Sequence, residues 1–172
     1  DEGFLTNTGA TLNVTVDAIV GDQGLGSMTV GGSAVVTVGV DLFIGDGGTG
    51  DEEAGSLVTV NGGTLNVGDN IFIARLTGTD GRIIQSGGLS DGADNLTIAE
   101  GNSSTGSITI SAGELNLQDG NLFVGNDGVG SMTVSGTALV DVNGSSGRGD
   151  LVVGDNSGGD NTLTMEGGRI EV

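Results

Sequence analysis

The sequence predicts an all-β fold: a right-handed parallel β-helix of about six rungs, each made of three short strands, filling residues 1–172 as one domain. Three observations predict it. Apolar strand ends recur along the whole chain at a period of 24 to 29 residues. Within the strands, apolar and polar residues alternate as in a half-buried strand. Between the strands lie glycine pairs and short Asp or Asn side chains, which suit tight corners.

The first strand of each rung ends at Val20, Ile44, Ile73, Ile98, Val124 and Val153. The second ends at Val30, Val60, Ile84, Ile110, Val134 and Met165, and the third at Val14, Val38, Val67, Leu117, Val142 and Val172. In strand two, pairs such as Met28/Val30, Ile108/Ile110 and Met132/Val134 point inward, with Thr29, Thr109 and Thr133 outward between them. In strand three Val36/Val38, Leu65/Val67 and Leu115/Leu117 point inward. The third rung reads as irregular, because Leu89-Ser90-Asp91-Gly92 is poor strand material where strand three is due. Length differences fall in corner inserts at 47–54 and 143–149, which a solenoid tolerates.

Composition agrees. With 37 glycines, 35% hydrophobic residues and only 2% aromatic ones, the core must consist of many thin, similar layers. The net charge of −19, from 23 acidic residues against four arginines, disfavours nucleic acid and anionic membranes as partners. No apolar run reaches membrane-spanning length, so direct membrane insertion is not expected. The lack of cysteine excludes disulfides and thiolate metal sites.

Three residues before each first-strand end stand Asp17, Asp41, Asn70, Asn95, Asn121 and Asp150. Stacked about 4.8 Å apart, such side chains bond their own turn and one another, so a corner ladder is expected. A second column follows strand one: Asp22, Asp46 and Asp155, joined by Glu100 and Asn126. The corner insert adds Asp51, Glu52 and Glu53. Clustered carboxylates suit a hard cation with oxygen ligands, and Ca²⁺ is the expected one. Like charges at this spacing repel by about 1 kcal/mol in water, so diffuse counterions are the alternative. The calcium nonapeptide repeat is not present.

The outward column of strand one reads Ile19, Phe43, Phe72, Thr97, Phe123 and Val152. An apolar stripe of this kind is expected to be covered, either by a lateral partner or by a corner insert of the same chain. The Ser/Thr grid on strand two suggests ordered water and hence ice binding, but it breaks at Gly81 and Ile83, and threonine is ordinary on a strand face. Without His, Cys, Lys or Tyr the usual bases and nucleophiles are missing, and no enzyme is expected. Arg75 and Arg82 are expected in ion pairs with neighbouring acids rather than in a lyase site.

The phrases Val20-Gly21-Asp22 followed by 26–30 (GSMTV), 55–63 (GSLVTVNGG), and Val124-Gly125-Asn126 followed by 130–136 (GSMTVSG) resemble the β-strand repeats of autotransporter passengers. They also resemble repeat proteins exported with a PEP-CTERM sorting tail. The resemblance implies a parallel β-helix displayed outside the cell. Neither a membrane barrel nor a Pro-Glu-Pro tail occurs in these 172 residues. No helix, proline or run of like charge caps the solenoid: residues 3–14 read as strands two and three of a rung, and Glu171-Val172 close strand three of the last. The expected partner is therefore the chain itself, end to end and laterally, in a surface filament. An adhesin or glycan-binding passenger segment is the alternative.

Overall fold

The computed structural model describes residues 2–47, 55–118, 120–143, 147–156 and 159–172. It is a parallel β-solenoid of six rungs preceded by a partial layer. That layer holds β1 (Gly3–Asn7) and β2 (Thr11–Val14). Rung one follows with β3 (Ala18–Val20), β4 (Gly26–Gly31) and β5 (Val35–Val38). In the next three rungs strands two and three fuse into one bent strand. Rung two is β6 (Leu42–Ile44) and β7 (Ser56–Val67); rung three is β8 (Asn70–Ile73) and β9 (Asp80–Ala93); rung four is β10 (Asn95–Ile98) and β11 (Thr105–Leu117). Rung five separates them again as β12 (Leu122–Val124), β13 (Val129–Val134) and β14 (Leu139–Asp141). Rung six is β15 (Leu151–Val153), β16 (Thr162–Met165) and β17 (Arg169–Glu171).

Two parallel sheets result. The six first strands stack in the order β15-β12-β10-β8-β6-β3, and the second and third strands form a folded sheet of eleven. In the smaller sheet Val20, Ile44, Ile73, Ile98, Val124 and Val153 occupy one register column through all six rungs. Inward columns of Val, Ile and Leu fuse into a single apolar core, with Leu42, Ile44, Val60, Leu65, Ile73 and Ile98 wholly buried. Each layer shields the next, so the cross-section can stay thin and almost free of aromatic rings.

After each first strand the chain must turn sharply, and it does so with a residue at positive φ in every rung. Gly21, Gly45, Gly125 and Gly154 take this place at φ between 70 and 79°. Ala74 and Ala99 take it in the middle rungs, at 55 and 56°, fully buried. A left-handed alanine costs roughly 1–2 kcal/mol, which the layers stacked on both sides must offset.

Rung three departs from the sequence reading in two ways. First, strand three exists there: β9 continues through Leu89, Ser90 and Asp91, which pair with Thr64, Leu65 and Asn66 of β7. Its other edge pairs with β11, so partners on both sides override the weak propensity of Ser-Asp-Gly. Second, strand two ends one residue later than expected. Val60 and Ile110 both align with Gln85, not Ile84. Ile83 and Gln85 therefore face the core, while Ile84 lies on the outer face, 37% exposed. The breaks in the Ser/Thr grid fall accordingly at Arg82 and Ile84 instead of Gly81 and Ile83. A slip of one residue reverses every side chain of a strand, and two adjacent isoleucines conceal it.

The buried Gln85 is fully provided for. Its Nε2 donates to the Glu114 carbonyl at 2.7 Å, and its Oε1 accepts from Ser90 Oγ at 3.0 Å. Ser90 also stands in a core column, 3% exposed. The two polar residues satisfy one another at the bend between strands two and three, as buried polar groups must.

Candidate functional site

The six residues expected to form a corner ladder do share one column, immediately before strand one. The Asp41 amide donates to Asp17 Oδ1 at 3.2 Å, and the Asn70 amide to Asp41 Oδ1 at 2.9 Å. Asn95 Nδ2 donates to Asn70 Oδ1 at 2.9 Å. The Asn121 amide donates to Asn95 Oδ1 and the Asp150 amide to Asn121 Oδ1, both at 2.9 Å. Every step between neighbouring rungs is thus bridged. These residues position the start of strand one and use their acceptors in doing so.

The column two residues past strand one is less uniform. It contains Asp22, Asp46, Arg75, Glu100, Asn126 and Asp155, so Arg75 belongs to it. Asp46 is buried, and Arg75 holds it in a two-point ion pair: Nε to Oδ1 and Nη2 to Oδ2, each 2.8 Å. Twin hydrogen bonds of this kind are the stronger sort of ion pair. The expected pairing of Arg75 is thereby present, whereas among the described residues Arg82 forms no ion pair. Glu100, on the other side of Arg75, has a carboxyl pushed above its ordinary range. Burial is the main cause; Arg75 opposes it, while Asp46 and Asp127 add to it. Its Oε2 is buried without a hydrogen-bond partner among the described residues. Asn126 accepts from Asn156 Nδ2 at 2.8 Å, and Asp22 and Asp155 are exposed.

Of the expected calcium ligands, Asp46 is therefore engaged by Arg75, and Asp22 and Asp155 lie at opposite ends of the solenoid. Asp51, Glu52 and Glu53 lie outside the described residues. Among the described residues no three acidic side chains converge closely enough to hold a metal ion.

The apolar stripe is also reorganised by Arg75. The Phe43 and Phe72 rings stack at 5.3 Å between centroids, 7° from parallel. The Arg75 guanidinium lies over Phe43, 4.1 Å from its centroid, and 5.9 Å from that of Phe72. Phe43 is consequently only 6% exposed and offers no surface to a lateral partner, contrary to its expected place in such an interface. Phe72, Phe123 and Val152 are half-buried, and Ile19 is exposed at the first rung.

The two ends remain. In the partial layer Phe4 is 76% and Leu5 42% exposed; in the last rung Met165 is 47% and Val172 56% exposed. Leu5 and Leu163 belong to one inward column, as do Leu12 and Ile170. Leu5, Leu12, Leu163 and Ile170 point the same way as the buried core columns, whereas Phe4 pairs with Ser27 on the outer face. No protein-family model, curated protein or solved structure matches the chain.

Proposed function

We propose that this chain is a structural module of an extracellular bacterial surface fibre, lengthened by axial stacking of solenoid layers. The observation that carries the proposal is the unbroken register: the inward apolar columns holding Leu5 and Leu12 in the first layer run in the same phase to Leu163 and Ile170 in the last. A second copy set head to tail places Leu163 over Leu5 and Ile170 over Leu12, and its strand edges meet partners of the same direction. The extracellular setting is supported by the repeat phrases and the strongly acidic composition. The fold offers long, regular strand faces.

Electron microscopy and light scattering over a concentration series test the proposal. Filaments with the width of a single solenoid are expected, and a charged helical cap fused after Val172 should reduce them to short rods. Monodisperse rods at every concentration, or filaments unaffected by the cap, would overturn axial stacking.

A further inference from the structure

We propose that the outer face of the smaller sheet around rung five is a docking surface for an arginine-bearing segment of another protein, whose guanidinium stacks on Phe123 and pairs with Asp127 and Asp155. The inference goes beyond axial lengthening and needs only a single folded chain.

The molecule contains its own example of the contact. The outward positions of the first strands form one column, with Phe43 and Phe72 in rungs two and three and Phe123 in rung five, aligned between Thr97 and Val152. Arg75 stands two residues past the end of β8 and reaches back one rung. Its guanidinium lies over the Phe43 ring while its Nε and Nη2 donate to Asp46. Ring and carboxylate each favour the cation, and partial removal from water strengthens both contacts.

At Phe123 the same frame carries a ring and acids. The position that corresponds to Arg75, one rung further on and two residues past the end of β15, belongs to Asp155. Glu100 stands in that column one rung before Phe123, and Asp127 lies on the exposed corner after β12, close enough for its charge to act on Glu100. Among the described residues Arg75 alone lies over phenylalanine rings, those of Phe43 and Phe72. Phe123 and Val152 are half-buried. The face thus offers apolar surface with negative charge beside it.

Charge decides the occupant. An apolar stripe flanked by acids complements a segment in which apolar and basic side chains alternate. A second copy is opposed, because each chain carries −19 and has four arginines, of which Arg75 and Arg169 stand in ion pairs. A metal ion would leave the ring unused, and among the described residues no three acidic side chains converge to hold one. Guanidinium suits the place better than ammonium, being more weakly hydrated and flat enough to stack on a ring.

The probe is a short fluorescein-labelled peptide of alternating arginine and leucine, titrated into the intact chain at physiological salt. Anisotropy follows binding, and amide chemical shifts locate it. Saturable one-to-one binding is expected, with the shifts centred on Phe123 and Asp127. Phe123→Thr places in rung five the residue that rung four has at Thr97. It should weaken binding about fivefold with the net charge unchanged. Asp127→Asn combined with Asp155→Asn should weaken it about tenfold, whereas Asp91→Asn with Asp141→Asn, on strand three, should change it less than about twofold. If Phe123→Thr folds poorly, the shift map of the unaltered chain decides. Equal binding by Phe123→Thr, equal binding of a peptide with citrulline for arginine, or shifts spread over all the acidic corners overturns the surface, the last by assigning the attraction to net charge alone. Self-association abolished by Phe123→Thr without peptide capture assigns the face to a second copy and overturns it as well. Capture at Phe123 by chains that form no filaments upholds the surface and refutes axial stacking alone.

Discussion

The polar column at the start of strand one and the charged column two residues past its end run side by side through the same six rungs, yet only the first repeats its chemistry. In the first, Asp and Asn alternate freely, because either offers the Oδ1 that the next rung's amide or side chain needs. In the second, the side chains reach into different surroundings: Asp46 is buried against Arg75, Glu100 is partly buried, and Asp22 and Asp155 meet solvent. A hydrogen-bonded column can be extended rung after rung. A column of like charge cannot, and must be interrupted by a cation or by neutral side chains.

The largest expected effect comes from removing that cation. Arg75→Met strands the Asp46 carboxylate and uncovers the Phe43 ring. Breaking a buried pair from one side costs about 3–5 kcal/mol, and since Arg75 is itself a third exposed the expected loss is about 2–3 kcal/mol. Urea unfolding measures it, and a loss under 0.5 kcal/mol would show that the pair and the ring stack are incidental. Next comes Asn95→Ala, which deprives the Asn121 amide of its acceptor and Asn70 Oδ1 of its donor; about 1–2 kcal/mol should be lost. Asn95→Asp keeps the acceptor and should restore part of it. If Ala and Asp variants are equally unstable, the hydrogen bond is not what the column contributes.

Smaller and opposite in sign is Glu100→Gln. A carboxyl whose folded pKa is raised binds its proton more tightly in the native state, so stability is lost as pH rises through that pKa. The amide should therefore stabilise the chain at pH 7, by about 0.5 kcal/mol once solvent screening of this partly exposed group is allowed for, and the gain should vanish below the ordinary pKa of 4.5, where the native carboxyl is already neutral. A gain independent of pH would assign the effect to packing. Smallest is calcium. If cations relieve the charged column where no arginine stands, millimolar Ca²⁺ should raise Tm by about 1 °C over a sodium control of equal ionic strength. Equal melting in both salts would leave screening as the account.

How much of this the sequence discloses varies with what sets each feature. First-strand ends and the Asx column are legible because they recur in all six rungs and depend on residue type alone. The true phase of Gln85 is not, since Ile83 and Ile84 are equally apolar and the register is imposed by β7 and β11. The strand at Ser90 is concealed for the same reason. Arg75 could have been placed by counting two residues past Ile73, as Asp46 stands two past Ile44. That its guanidinium covers Phe43 could not, because alternation gives the face of a side chain and not what lies across it.

The Asx column also has a direction. Each side chain offers its oxygen towards the C-terminal neighbour, and each amide looks back towards the N-terminal one. Turning one molecule end for end would bring the Asp150 carboxylate against its own copy, acceptor to acceptor and charge to charge. Any fibre built from this chain is thereby a vector, with a leading end and a trailing end that differ chemically. Growth, attachment and severing can then be confined to one of them without any sequence mark beyond the repeat itself.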